Sequence, residues 1–411
     1  MRFSTIASAL ASTAFVAATP VLERTYKNAT QPKHGKISPK VFIISMFTPE
    51  ADIWYDNAET EGSIGDLLAQ NISVPGFSPL FPDAHCLKDG SVCQFTTGES
   101  EINAAATVSS LLLSPAFDLT KTYFLIAGIA GINPKHGSIA DVAFSKYAVQ
   151  VALQYEFDVR DMPSNWTTGY FAQGSYAPDE YPTSIYGTEV FEVNEALRDL
   201  AVSFASSAKL NDSSEAIAYR AHYTDHNVTM YKAATHEPSI ITCDVATSDV
   251  YFSGTLLGEA FENTTSLFTN GSGTYCMTAQ EDNATLESLL RGALSNLVDF
   301  SRIIIMRTAS DFDRPYPGLS SEDNLLYSDQ GAFTPAIQNI YLAGTPIVQG
   351  IVDAWDDCFE AGIEPTNYIG DIFGSLGGEP DFGPGSTTDG QEVVLSEVGI
   401  SRRDAYRKVA R

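Results

Sequence analysis

With 411 residues, 44% of them hydrophobic, the chain is long and apolar enough to bury one large α/β core or two smaller ones, which excludes a disordered polypeptide. Its 51 acidic residues against 24 Lys and Arg give a formal charge of -27, so neither a general nucleic-acid surface nor an anionic membrane is an expected partner. No run approaches the roughly 18 apolar residues of a membrane-spanning helix once the first segment is set aside, so an integral membrane segment is not expected.

Residues 1–18 combine one Arg, an apolar and small-residue run, and the sequence Val16, Ala17, Ala18 suited to cleavage before Thr19. That is the pattern of a secretory signal peptide, so a secreted, extracellular protein is expected. Residues 19–39, polar and containing Lys and Pro, read as a flexible or processed lead-in, and residues 40–411 as a single α/β domain without internal repeats. Sequons begin at Asn28, Asn71, Asn165, Asn211, Asn227, Asn263, Asn270 and Asn283 and are candidate glycosylation acceptors. Of the five cysteines, Cys86 and Cys93 flank the polar loop LKDGSV and suit a local disulfide; Cys243 with Cys276 is a second pairing that leaves Cys358 free.

From residue 40 onward strand-like runs alternate with helix-like segments. Residues 40–46 (KVFIISM) read as a first buried strand, and residues 101–114 as a helix on their Ala and Leu content. Residues 121–132 (KTYFLIAGIAGI) begin as a buried strand and run into close-spaced glycines. Residues 143–157 read as one or two strands, because Gln150 and Gln154 interrupt the apolar pattern, and residues 190–208 as one amphipathic helix. Residues 238–249 and 301–311 are strand-to-loop transitions, with a helix over 284–297 before the second. Residues 355–363 and 365–378 read as helix and turns. The succession predicts an α/β fold with a largely buried sheet.

Polar side chains at the carboxyl ends of parallel strands commonly face a ligand crevice, since the sheet fixes their backbone while loops supply contacts. Asp311 stands at such an end, after Ser310, in the stretch RTASDFDRPYPG at 307–318. It can donate a proton to a leaving group or equally cap the next turn, with Asp313 pairing Arg314 on the surface and Arg307 a supporting charge. Glu281 can accept two hydrogen bonds from neighbouring sugar hydroxyls, or simply serve with Asp282 and Asn283 at a helix N-terminus. Glu50, in ISMFTPEADIW, can act as general base on water where burial raises its pKa, or be a solvated loop carboxylate. The glycines of residues 128–141 permit close approach to a ligand, with Lys135 or His136 beside them, and the TTGES turn at 96–100 could present backbone N–H groups. HExxH, calcium-loop, P-loop, GxGxxG and GxSxG patterns are absent, and His222 with His226 is a weak metal pair, so no metal and no cofactor is expected.

Several of these phrases taken together, PKVFIISMFTPEADIW, FPDAHCLKDGSVCQFTTGESEINAAAT, YFLIAGIAGINPKHGSIADVAFSKYAVQ, CMTAQEDNATL and IIIMRTASDFDRP, resemble the purine nucleoside permease family over about residues 40–378. More distantly the chain is similar to the nucleoside phosphorylase and nucleosidase superfamily. The resemblance implies a three-layer nucleoside phosphorylase-like fold, a central mixed sheet flanked by helices, that binds a purine nucleoside at the carboxyl edge. It implies Asp311, after Ser310, as the acid meeting purine N7, and Glu281 as the grip on the ribose hydroxyls, although Gln280 stands where the superfamily has Met. It sets Gly128, in the AGIAG phrase, beside the sugar, and Glu50 where hydrolytic members hold water, although Ser45 replaces the expected Gly. Phe252 and Tyr251 are candidates to stack on the base. The absence of an Arg in the loop after the first strand favours hydrolysis, by a purine nucleosidase, over phosphorolysis. The competing expectations are a nucleoside-binding component of uptake and a phosphorylase using Arg307 or Arg314. A homo-oligomer, most simply a dimer, is also implied.

Overall fold

The computed structural model describes residues 35–224, 229–380 and 382; the expected signal peptide, most of the lead-in, Asn28, His226 and Asn227 lie outside the described residues. Strand β1 (Val41–Ser45) is buried along its whole length, as the run VFIIS requires. The segment after it, expected as a loop, is helix α1 (Thr48–Asp56), with Pro49 in the first turn, where a missing N–H costs nothing, and Ala51 and Trp54 buried. Strands β2 (Gln70–Ser73), β3 (Asp83–Cys86) and β4 (Val92–Thr96) follow, with the Cys86–Cys93 disulfide tying β3 to β4. Helix α2 (Glu101–Leu112) and the long strand β5 (Tyr123–Ile132) agree with the expected elements.

Residues 143–157 resolve into β6 (Val142–Ser145) and β7 (Tyr147–Gln150), separated at Lys146, and then β8 (Tyr155–Glu156), which forms a small ribbon with β9 (Tyr170–Phe171). The single helix expected over 190–208 is instead β10 (Val190–Glu192) followed by α3 (Glu195–Ala205), because Asn194 caps the helix by accepting the Leu197 N–H. Helix α4 (Ser214–Ala221), strands β11 (Ile240–Thr242) and β12 (Asp244–Thr247), helix α5 (Thr255–Phe268) and strand β13 (Tyr275–Ala279) come next. The Cys243–Cys276 disulfide is formed, and Cys358 is free and exposed. Helix α6 (Asp282–Leu294) leads to β14 (Ile303–Phe312), and α7 (Ser321–Leu326), the 21-residue α8 (Phe333–Asp353) and β15 (Gly370–Asp371) complete the described chain.

Strand β5 organises a 13-stranded mixed sheet by pairing in parallel with β1 on one side and β14 on the other. From β14 the pairing passes antiparallel to β6, through Lys146 into β7, and in parallel to β12 and β13. The circuit closes where Met277 of β13 meets Ile132 of β5. Alternate residues of the shared strands point to opposite layers. Phe42, Ile44, Phe124, Ile126, Ile303 and Ile305 pack with Leu111 of α2 and Leu289 of α6, whereas Val41, Ile43, Leu125, Ile304 and Met306 pack with Trp54, Leu197 and the Ile340 face of α8. Each fully buried Ile contributes about 1.5–3 kcal/mol relative to exposure. With both faces covered, functional groups concentrate at strand ends, and those of β1, β5, β13 and β14 border one cavity.

Candidate active site

The cavity has a volume of about 440 Å³ and takes Asp311, Glu50, Glu281, Ser310, Phe252 and Tyr251 into its wall. Gly128 is not a wall residue. A Cβ there would come within 2.7 Å of both Glu50 Oε1 and Arg307 Nη1, so the missing side chain is what admits these two charged groups against β5.

Glu50 sits in the first turn of α1, 1% exposed, with Oε2 accepting the Met46 N–H at 2.7 Å and Oε1 accepting the Ile129 N–H at 2.7 Å. Burial pushes its carboxyl up to about 8, against the pull of the Arg307 charge and the two backbone donors. Glu50 is thus a buried helix residue rather than a solvated loop carboxylate. Arg307 is enclosed on β14, 1% exposed. Its Nη2 donates to Asp282 Oδ1 at 2.5 Å and Glu281 Oε2 at 3.3 Å, and Nη1 donates to the Ile129 carbonyl at 3.2 Å. Burial also raises the Glu281 carboxyl, partly offset by Arg307. The other Glu281 oxygen accepts the Ser100 N–H at 2.9 Å.

At the other end β14 carries a bulge: Ala309 pairs with Ala130 and Asp311 with Gly131, leaving Ser310 as the extra residue. Bulges re-aim side chains, and this one turns both Ser310 and Asp311 to the cavity. Ser310 Oγ donates to Asp311 Oδ1 at 2.6 Å, and the Tyr251 hydroxyl donates to Oδ2 at 3.2 Å. Burial raises the Asp311 carboxyl above its ordinary range, with the two hydroxyls pulling the other way. Phe252 is buried edge-on against Phe261 with ring centroids 4.7 Å apart, whereas Tyr251 is exposed.

Several expectations need correction. Arg307, expected as a supporting charge, is an interior residue, because β14 runs through it to Phe312. Asp313 and Arg314 do pair, at 2.7 Å, but in the interior: they are 2% and 0% exposed, Tyr275 donates to Asp313 at 2.5 Å, and Glu262 accepts from Arg314 at 2.8 Å. At the TTGES turn the Ser100 N–H is taken by Glu281, and the following Glu101 N–H by Asp249 at 2.9 Å, so these two donors are occupied. Asn283 is 2% exposed and donates from its side chain to the Thr188 carbonyl at 2.8 Å, which removes it as an accessible sequon; Asn71, Asn165, Asn211, Asn263 and Asn270 are exposed. Lys135 is occupied by Glu262 at 3.0 Å, and neither it nor His136 reaches the cavity wall.

Arg307 is a cavity-wall residue that the sequence offered only as a supporting charge or a phosphate binder. Its partners lie some 25 positions away in the chain, so only its place inside an apolar strand could have signalled burial. Among the described wall residues, Arg307 is the sole Lys, Arg or His, and it is joined there by Glu50, Glu99, Glu281, Asp311, Asp313 and Asp329. Such a wall repels a free anion and suits a neutral ligand that donates hydrogen bonds or develops positive charge. Among the described residues no group of three His, Cys, Asp or Glu could hold a metal ion, and no helix is long and apolar enough to cross a membrane.

A family model described as purine nucleoside permease (NUP) matches residues 38–364. A purine nucleoside permease of Candida albicans (strain SC5314) is 47% identical over 369 residues, covering 87% of each chain. A Schizosaccharomyces pombe relative described as a probable purine nucleoside permease is 40% identical over 331 residues, covering 79% of this chain and 92% of the relative. Among solved structures, the 5′-methylthioadenosine/S-adenosylhomocysteine nucleosidase from Neisseria meningitidis is 14% identical with a TM-score of 0.43, covering 77% of this chain and 99% of that one. The futalosine hydrolase of Helicobacter pylori is 14% identical with a TM-score of 0.42, covering 77% and 97%.

Proposed function

The chain belongs to the purine nucleoside permease family, and from that premise we propose that it is a purine nucleoside N-ribohydrolase, cleaving the N-glycosidic bond to free base and ribose. The observation that carries this reading is the pair of proton-handling carboxyls, Glu50 and Asp311, on one cavity whose wall holds six acids and a single guanidinium already engaged by carboxylates. The Ile129 amide holds Glu50, and Gly131, two residues on, pairs with Asp311. The two groups thus flank roughly 7 Å of extended strand.

Breaking the bond leaves positive charge on the ribose and an electron pair on the purine. Asp311 delivers its proton to N7 of the departing base, Glu281 accepts from the ribose hydroxyls, and ionised Glu50 removes a proton from the water that attacks C1′. Water supplies hydroxyl to the sugar, its proton goes to Glu50, and the base leaves with the proton of Asp311. With the Glu50 carboxyl at about 8, kcat/KM is expected to rise as the pH climbs toward that value and the base ionises. Phe252 and Tyr251 offer ring faces to the base.

Phosphorolysis is disfavoured by the acidic wall, and by the Ser100 and Glu101 amides being already bound to Glu281 and Asp249, where an anion would otherwise find donors. Secretion is part of the proposal, supported by the signal-peptide pattern and by two disulfides suited to an oxidising compartment. A homodimer is the expected assembly, to be read by light scattering. The relatives' name favours a second reading, a nucleoside-binding component of uptake without turnover. Purified protein incubated with adenosine, inosine and guanosine, with and without phosphate, separates these. Ribose formed without phosphate supports hydrolysis, ribose 1-phosphate formed only with phosphate overturns it, and tight binding without cleavage favours uptake.

A further inference from the structure

The hydroxyl of Tyr251 has Asp311 as its hydrogen-bond acceptor, at 3.2 Å on Oδ2. The other carboxyl oxygen, Oδ1, is held by Ser310, whose own hydroxyl also lies 3.1 Å from the Ala130 carbonyl, so that side of Asp311 is fixed to the strand. Oδ2 is the oxygen on the Gly131 side, 3.4 Å from where a Cβ would stand, and glycine there lets Oδ2 and Thr278 Oγ1, 2.9 Å from the same point, close against the strand at the cavity wall. Tyr251 itself is 62% exposed, so little packing holds its ring in place. It is carried between two anchored residues: Ser248, which binds the backbone of Val250 in a local turn, and Phe252, packed on Phe261. A change of side-chain rotamer alone can therefore move the phenol while the backbone stays in place.

We propose that Tyr251 is a displaceable placeholder for the purine: its hydroxyl holds Asp311 Oδ2 until a ring nitrogen of the base takes that oxygen, and the phenol then swings aside to lie along the base. This rests on the reading that Asp311 faces the base. The hydroxyl and the free base compete for one oxygen, because the N7–H that the base carries after cleavage donates to ionised Oδ2 where the phenol donated, so the hydrogen bond is a cost that each binding of a purine base must overcome. Removing the hydroxyl while keeping the ring raises the fraction of sites open to the base. Ser310 plays the opposite part, since its oxygen is not contested and its loss leaves Asp311 less well held.

The test is calorimetric titration of adenine and hypoxanthine into the full chain and into Tyr251→Phe and Ser310→Ala, with melting curves to confirm folding and nucleoside turnover followed in parallel. Tyr251→Phe is expected to bind a purine base about tenfold tighter, the scale of one hydrogen bond to a carboxylate, and Ser310→Ala to bind it more weakly. Equal or weaker binding by Tyr251→Phe overturns the placeholder. Binding of neither base to any of the proteins overturns it together with the base-facing role of Asp311. Tighter base binding by Tyr251→Phe in a protein that never cleaves a nucleoside leaves the placeholder standing and removes only the hydrolytic reading.

Discussion

The two ends of the cavity treat their carboxyl groups in opposite ways. Around Arg307, the side chains of Glu281 and Asp282 converge directly on one buried guanidinium, and Glu50 feels its charge while bonded to backbone amides. Around Asp311 the direct donors are two hydroxyls, those of Ser310 and Tyr251. The first arrangement locks positions, because moving any member strands a charge in a low dielectric. The second leaves a carboxyl whose proton can come and go, since no adjacent guanidinium fixes it as an anion.

This contrast can be broken most severely at its cationic centre. Arg307→Met leaves Glu281 and Asp282 buried without their counter-charge, and urea unfolding is expected to show a loss of about 3–5 kcal/mol. Substitutions at the two proton-handling groups come next. Asp311→Asn and Glu50→Gln are each expected to lower kcat about 10²–10⁴-fold in a nucleoside cleavage assay, the former with little change in stability.

Glu50 also sharpens the comparison through pH. Its folded value, about 8, lies above the ordinary 4.5, so the fold binds a proton there more tightly than the unfolded chain. The resulting stabilisation is complete below about pH 4.5 and is lost as the pH rises to about 8. Chemical denaturation across that window is expected to show this falling slope in the native chain and to lose it in Glu50→Gln. The smallest effect is at Ser310→Ala, which removes one hydrogen bond from Asp311 and is expected to cost about 1 kcal/mol of stability with a several-fold loss of kcat/KM.

How much of this was legible in the sequence follows from where the signals lie along the chain. Strands β1, β5 and β14 announce themselves as continuous apolar runs because they are buried on both faces. The site residues Glu50, Glu281 and Asp311 are found at the ends of such runs, where topology brings them to one cavity. Helix α8, in contrast, is interrupted in sequence by Pro346 and by Gly344 and Gly350, and it forms because Ile340, Ile347 and Ile351 have a sheet to cover. Helix α1 hides behind the Thr48–Pro49 pair, which looks like a turn until Trp54 finds its place in the core. The burial of Arg307, Asp313 and Arg314 could not be read locally, because a charged residue looks the same on a surface and in a core until its partner is known. Those partners, Asp282 and Glu262, arrive from other elements.

The central claim is that water, not phosphate, receives the ribosyl group. Its most direct test is cleavage of a purine nucleoside by the purified chain in water labelled with heavy oxygen, with phosphate present. The account predicts ribose carrying the label at C1 at the same rate whether or not phosphate is added. Ribose 1-phosphate without label, formed only when phosphate is supplied, would contradict it.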